Sequence, residues 1–456
     1  MKTDYWRRFI YQVHERLIGR PTFAYLSELE KTQWLSRDEI EQLQLEKLTH
    51  LLHLAMENCP WHAERIRAAG LDVTGRHPIT MDDLRRLPTM NKNDARQNVD
   101  KIAWMGVPGG AFKYNTGGST GQPLIFYYGR MRQASDAAGR MRARQWWGVS
   151  AGAPEVYLWG APAELNKTDR IKSLRDRLIN QMVLNAFEMS TRNMAEYLQA
   201  IQSFRPVCLY GYASSIALLA AYAREHCKRL NLPSLKVVCT TGEVLYPHQR
   251  ELVQEVFGVP VANEFGSRDI GFTAHESPNG QMLLMSESLI LEVLDGEGHP
   301  VRPGGYGEAV VTALCSQSQP FIRYRTGDII QHLEEACKDG RGLHVLGAVL
   351  GRSTDFVIRS DGAIMHALSV IYILRSVEGI AEFKFIQHTV NSVEVLVVPD
   401  SKWNPETATK IVQGILKRLG DETRVDVKIV DFIPPENSGK HRYVVSHVPL
   451  PPEFDL

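Results

Sequence analysis

The stretch "PVCLYGYASSIALLAAYAREHCKRLNLPSLKVVCTTGEV", Pro206 to Val244, decides the fold. A short apolar run, "PVCLYGY", meets a longer run with helical spacing, "IALLAAYAREHCKRL", and then a second short run, "LKVVCTTGE". Strand, helix, strand in that order is a βαβ unit, which demands a parallel sheet. Working outward, "EVYLWG" before it and "GVPVANEFGS" after it repeat the short runs, with "MAEYLQAIQSF" as a further helix between. Ligands of such sheets sit beyond the carboxyl ends of the strands. The loops "TTGEV" and "NEFGSRDIG" are therefore expected on one rim.

The texture changes at about residue 281, where "LLMSESLILEVLDGEGHPVRPGGYGEAVVTALCSQSQPFIRYRTGD" alternates apolar residues with Gly and Asp turns, favouring hairpins or a small barrel. Beyond Gly351 the order is helix, hairpin ("FKFIQHTVNSVEVLVVP"), amphipathic helix and strand, which fits a compact α+β domain. The expected class is α/β: parallel-sheet subdomains plus a small β-barrel-like subdomain, then a small mobile α+β C-terminal domain. The boundary is drawn between 352 and 353. Nearer the N-terminus, Ser36 and Glu39 form a capping box for a helix carrying Ile40, Leu43, Leu48, Leu51 and Leu52, which Pro60 ends.

Composition excludes several classes. With 44% apolar and 23% charged residues over 456 positions, the chain is an ordinary globular one. Its 52 Lys and Arg balance 52 Asp and Glu, so no broad field favours nucleic acid. Six cysteines without CxxC spacing point to a reduced, cytoplasmic setting. No apolar run reaches the length of a membrane span. The opening "MKTDYWRRFIYQVHERLIGR" carries Arg7, Arg8, Arg16 and Arg20 on an amphipathic helix, expected to dock on the protein's own core rather than on a membrane surface. In "SDAAGRMRARQWWGV", Arg140, Arg142 and Arg144 are expected on a solvated helix face.

Between two hydrophobic stretches lies "YNTGGSTGQP", Tyr114 to Pro123. Its glycines free backbone amides to face an oxyanion, and its hydroxyls add donors. It is not a Walker loop, since Gln122 stands where lysine is needed. Nor is it a dinucleotide fingerprint, since Pro123 leads into a strand. If it holds phosphates, the cation comes from elsewhere. Four other stretches carry suitable chemistry: "YRTGD" offers Asp328 to a ribose diol, "NEFGSRDIG" offers Asp269 to Mg²⁺, "GRSTD" carries Arg352 and Asp355, and "ENSGKHR" carries Lys440.

Taken together, "TGGSTGQP", "FGSRD", "YRTGD", "GRSTD" and "SGKHR" resemble, in order, the five signature motifs of the adenylate-forming superfamily. "SRDEIEQLQLEKL", "GYASSIALLA" and "TTGEVL" resemble its phenylacetate-CoA ligase and CapK-like branch. The resemblance implies ATP-dependent activation of a carboxylic acid to an acyl-adenylate, with release of pyrophosphate and transfer to coenzyme A. An amine, a hydroxyl or a carrier-protein thiol is the alternative acceptor, and a catalytically idle nucleotide-binding protein the reading from another class. It further implies that Thr116, Gly117, Gly118, Ser119, Thr120 and Gly121 hold the phosphates of ATP and that Lys440 supplies the missing cation. Asp269 would take Mg²⁺ and Asp328 the ribose, with Arg352 also at the nucleotide. Gly242, Glu243, Asn263, Glu264 and Phe265 would surround the adenine, with Gly266 and Ser267 also at the nucleotide, and Asp355 would be the hinge. Tyr210, Tyr212, Ala213 and Ile270 would line the pocket of a flat aryl or medium-sized acid. Relatives often form homodimers. This chain departs from the family in having Asp269 where Glu is usual. It also offers only His275 where some relatives carry a Cys/His cluster, so no zinc site is expected.

Overall fold

The computed structural model of the chain describes residues 2–74, 77–115, 124–159, 178–186, 189, 191–227, 230–352, 356–361, 364–366, 368–434 and 442–448. The chain divides into two compact units. One comprises Met1–Glu292, Val310–Thr326 and His332–Gly347, the other Val293–Ala309, Gly327–Gln331 and Ala348–Leu456.

In the first unit the βαβ stretch folds as its pattern requires: strand Cys208–Tyr212, helix Ala213–His226, strand Val237–Thr241. The two strands pair in parallel, Cys208 opposite Val237 and Tyr212 opposite Thr241. Both are buried at every position, which is why their sequences read as continuous apolar runs instead of alternating ones. Helix Pro247–Phe257 follows and stops at Gly258, whose φ of 68° is the left-handed conformation a helix end favours. Strand Val261–Ser267 then extends the parallel sheet, with Thr241 opposite Glu264. Eight strands form the complete sheet, in the order Val345–Leu346, Met282–Leu284, Gly271–Glu276, Val261–Ser267, Val237–Thr241, Cys208–Tyr212, Glu155–Trp159, Gln181–Asn185. The first three are antiparallel additions to a parallel core. Leu158, Leu209, Ile216, Leu219, Val238 and Val253 pack as one buried cluster beneath the helices.

The capping box is present: the Ser36 amide donates to Glu39 Oε2 over 2.8 Å and the Glu39 amide donates to Ser36 Oγ over 3.3 Å. The helix runs Arg37–Asn58, and Pro60 begins the next one. The arginine-rich helix, Arg130–Trp146, departs from expectation, because Arg142 and Arg144 are buried rather than solvated. Each meets an acid: Arg142 Nη1 lies 2.5 Å from Glu287 Oε1, and Arg144 pairs with Glu155. A guanidinium taken out of water needs such a carboxylate, and helical periodicity alone does not show the partner.

Strands Leu289–Leu294, Tyr306–Ala313, Tyr324–Gln331 and Val349–Arg352 form a four-stranded sheet in that order. In the second unit, Ile380–Thr389 and Ser392–Pro399 make the expected hairpin, Phe385 opposite Val395. Val444–Ser446 and Arg424–Ile429 flank it in parallel. Helix Pro405–Leu419 is capped by Asn404, whose side chain accepts from the Glu406 amide, and buries Ile411, Ile415 and Leu419.

Candidate active site

Tyr212, Thr241 and Glu264 stand side by side on three adjacent parallel strands, at or near their carboxyl ends. That row is the rim on which the sequence places its two loops. After Thr241 the chain turns at Gly242, with φ of 78°, and Glu243 Oε2 accepts from the Ser214 amide over 2.9 Å at the start of the helix after Tyr212. After Glu264 comes Phe265 and the acidic loop.

Beneath the rim, Glu264 is the hub of a buried network. Its carboxylate accepts from Tyr210 Oη over 2.9 Å and from Thr241 Oγ1 over 3.2 Å. Arg140 donates to it twice, each bond 3.3 Å. Burial opposes ionisation here, yet the Arg140 guanidinium holds the carboxyl below its ordinary value. Burial and the neighbouring carboxylate together push the Tyr210 phenol up. The Glu264 side chain is thus committed to fixing the strand end. Asn263 is fixed as well, its amide donating to Glu276 Oε2 over 2.9 Å.

The acidic loop is shaped by two glycines. At Gly266 the pairing with the next strand slips, and a Cβ there would lie 2.4 Å from the Gly271 carbonyl. Gly271 has φ of 93°, and a Cβ would strike the Arg132 guanidinium and the Asp136 carboxylate. Between them, Asp269 accepts from Ser267 Oγ and, over 2.8 Å, from Tyr324 Oη. Arg132 Nη2 donates to the Asp269 carbonyl over 3.3 Å while its Nε pairs with Asp136. Tyr324 is itself anchored through Arg323, which grips Glu292 with two bonds of 2.9 and 3.0 Å. Each Asp269 oxygen accepts one described bond and so keeps acceptor capacity. Magnesium is often held by one or two carboxylates plus substrate phosphates, a role one such group fits. Among the described residues no three His, Cys, Asp or Glu side chains are arranged to hold a metal ion.

The four residues assigned to an acyl pocket are all buried. Trp159 stacks on Tyr212 with ring centroids 4.3 Å apart and on Tyr210 at 5.7 Å. Arg268 hydrogen-bonds the Tyr212 hydroxyl, tying the acidic loop to the neighbouring strand end. Ala213 opens the helix after that strand, and Ile270 closes the loop. In the second unit, Asp328 pairs across the sheet with Arg352, and the adjacent Gly327 amide donates to Glu308 Oε1 over 2.8 Å. Thr116, Gly117, Gly118, Ser119, Thr120, Gly121, Asp355 and Lys440 lie outside the described residues. The strands flanking the first six, Phe112–Asn115 and Ile125–Tyr128, pair as an antiparallel hairpin.

Comparison with known proteins follows this layout. A family model described as the CapK C-terminal domain matches residues 357–447. Protein CapK of Staphylococcus aureus is 23% identical over 433 residues, covering 94% of each chain. These similarities support the resemblance to the phenylacetate-CoA ligase and CapK branch of the adenylate-forming superfamily. Another relative in that branch is the phenylacetate-coenzyme A ligase of Thermus thermophilus, 27% identical over 360 residues, 73% of this chain and 74% of its own. The fold matches that of a 2-hydroxyisobutyryl-CoA ligase in the postadenylation state in complex with 2-HIB-AMP, with a TM-score of 0.72 at 20% identity over 90% of each chain.

Three features of this candidate site escape the linear sequence. Arg132, Asp136, Arg140 and Arg144 stand at intervals of four on one helix, a spacing that signals a single polar face and the pairing of Arg132 with Asp136, but the acids that meet Arg140 and Arg144 lie on distant strands. Tyr324 begins the motif "YRTGD", and nothing in that motif says that it reaches Asp269. His275 has no cysteine near it in sequence, yet Cys239 lies beside it in the sheet, with its sulfur 3.8 Å from that of Cys208. The Cys208 thiol and His275 hold Cys239 down to about 5, while His275, opposed by burial, is raised by Cys239.

Proposed function

We propose that the chain activates a carboxylic acid with ATP and transfers the acyl group to coenzyme A. The carboxylate oxygen attacks the α-phosphorus, a P–O bond forms, the bond to pyrophosphate breaks, and acyl-adenylate results. The thiol of coenzyme A then displaces AMP from the acyl carbon. The observation that carries this reading is the Asp269 carboxylate, fixed by Ser267 and Tyr324 at the rim of a parallel sheet beside Tyr212, Thr241 and Glu264.

In this reading Asp269 holds Mg²⁺, which when bound offsets the negative charge of the phosphates. Thr116 to Gly121 cradle the phosphates with amides and hydroxyls, and Asp328 accepts from the ribose. Lys440 supplies the cation that Gln122 denies the loop, stabilising charge that develops at the α-phosphate. Because Lys440 belongs to the C-terminal region and Asp355 is the hinge, the lysine is inserted for adenylation and withdrawn for transfer. Tyr212, Ile270 and Ala213 bound an acid of modest size, and Trp159 behind Tyr212 favours a flat one.

A second acceptor class follows from the names of the relatives: Protein CapK, matched over 94% of both chains, is not named for coenzyme A, whereas the Thermus ligase, matched over 73% of this chain, is. Acyl transfer to an amine, a hydroxyl or a carrier thiol uses the same adenylate. ATP–pyrophosphate exchange across a panel of carboxylic acids, followed by AMP formation with and without coenzyme A, separates the two. Turnover dependent on coenzyme A supports the first; turnover only with an amine, hydroxyl or carrier acceptor supports the second.

A further inference from the structure

Arg323, the residue before Tyr324, has φ of 54°. Left-handed backbone is costly for any residue with a β-carbon and persists only where the surroundings enforce it. Here the surroundings are unusually complete. The side chain is buried at 5% exposure, and its guanidinium makes four hydrogen bonds. Two go to the Glu292 carboxylate, and Nη1 donates to the carbonyls of Arg85 and Leu87 over 2.7 and 2.5 Å. The Arg323 amide donates to Thr312 Oγ1 over 2.9 Å.

The backbone on either side is held as well. The Met90 amide donates to the Arg323 carbonyl over 2.9 Å and the Arg325 amide donates to the Met90 carbonyl over 2.8 Å, so Met90 lies beside Tyr324 as a one-residue parallel bridge. Arg65 donates to the carbonyls of Pro88 and Ile322. The segment Arg85–Met90, between helices Met81–Arg86 and Lys92–Gln97, is thus a strap across the start of the strand that carries "YRTGD". Downstream of this clamp the Tyr324 ring packs edge-on against Phe321, centroids 4.9 Å apart, and its hydroxyl ends on Asp269. Stability alone does not call for such an arrangement. A buried ion pair is weak evidence for stability, and glycine takes left-handed backbone without strain. What the clamp determines is direction.

We propose that Arg323, gripped by Glu292 and by the Arg85–Met90 strap, is a positioning residue: its enforced backbone sets the approach of Tyr324 to Asp269 and thereby the Mg²⁺ requirement of adenylation. The proposal rests on the metal role given to Asp269 above. Arg323 touches no substrate and acts only through Tyr324.

The test is the Mg²⁺ half-saturation of ATP–pyrophosphate exchange in Arg323→Lys, made in the parent and in Tyr324→Phe. Lysine keeps the charge but cannot fork between Glu292 and the strap. The expected result is a half-saturation raised about fivefold or more in the parent and less than twofold in Tyr324→Phe, since the link is already cut there. Glu292→Gln, which keeps the shape of the partner, shows the same pattern to a smaller extent and carries the test if Arg323→Lys fails to fold. Lowered stability with unchanged half-saturation, or an equal rise in both backgrounds, overturns the proposal. A second readout needs no activity: the urea midpoint shifts of Arg323→Lys and Asp269→Asn are non-additive in the parent and additive in Tyr324→Phe. A parent that exchanges no pyrophosphate with any acid would overturn the proposed function and leave the linkage to this cycle, where additive shifts in the parent overturn it.

Discussion

The Tyr324 hydroxyl donates to the Asp269 carboxylate over 2.8 Å, across a separation of 55 residues. The first residue of "YRTGD" thereby orients the last residue of "FGSRD", and two motifs become parts of one device. Because Asp269 is one methylene shorter than the usual Glu, its aim depends on such partners. Tyr324→Phe removes the donor and little volume. A bond to a charged group contributes about 1.5–3 kcal/mol, so pyrophosphate exchange is expected to slow by about tenfold or more, with a higher Mg²⁺ requirement. An unchanged magnesium titration would separate Tyr324 from the metal role proposed for Asp269.

Arg140 and Glu264 form the ion pair under the rim. Arg140→Met strands a buried carboxylate and is expected to cost about 3–5 kcal/mol in urea unfolding, while adding Glu264→Gln recovers part of it. Burial raises the Glu264 carboxyl less than Arg140 and its other cationic neighbours lower it, so its folded value lies below the unfolded one. Its contribution is therefore present at neutral pH and lost as pH falls below the ordinary carboxylate range. Equal acid sensitivity of the parent and the double variant would count against this assignment.

His62 gives a separate acid limit. Burial first, and Arg65 second, lower it from 6.5 to about 3. Its Nε2 donates to the Pro320 carbonyl and its Nδ1 accepts from Arg65, both over 2.9 Å. The folded state keeps the ring neutral where the unfolded chain binds a proton, so the contribution of this group is full above the unfolded value of 6.5 and declines toward pH 3. The slope from this one group is at most about 1.4 kcal/mol per pH unit. His62→Gln is expected to flatten that part of the profile in chemical denaturation.

Gly266→Ala tests the acidic loop by sterics. Its Cβ would sit 2.4 Å from a backbone carbonyl, which no side-chain motion relieves. The expected result is a loss of about 1–3 kcal/mol in stability together with weakened exchange activity. Full activity with unchanged stability would show that the strand slip at Phe265 and Gly266 is not needed.

Most of the architecture is legible because its signals are local. Continuous apolar strands alternating with helices specify the parallel sheet, and Ser36 with Glu39 marks a helix start. The rim follows, since Thr241 ends its strand and Glu264 is the last residue of the next strand to pair with it in parallel. What the sequence hides is long-range polar pairing. Arg142 and Arg144 read as solvated because Glu287 and Glu155 lie on other elements, and Cys239 stands beside His275 only once the sheet has formed. In the N-terminal helix Lys2–Leu17 the amphipathic pattern is visible, but periodicity says which residues share a face and not which face the fold covers: Glu15 is buried and Tyr11 packs on Phe23, while Trp6, Phe9 and Leu17 stay exposed.

The central claim is acid-dependent adenylation completed by a cation from the C-terminal region. The most direct measurement is ATP–pyrophosphate exchange by the parent chain and by Lys440→Ala, each with an acid that the parent accepts, alongside ATP binding. The account predicts that Lys440→Ala binds ATP about as well as the parent yet exchanges pyrophosphate slower by about a hundredfold or more, the scale of losing one charge-stabilising group. Exchange at the parental rate in that variant, or its absence from the parent across a broad acid panel, would contradict it.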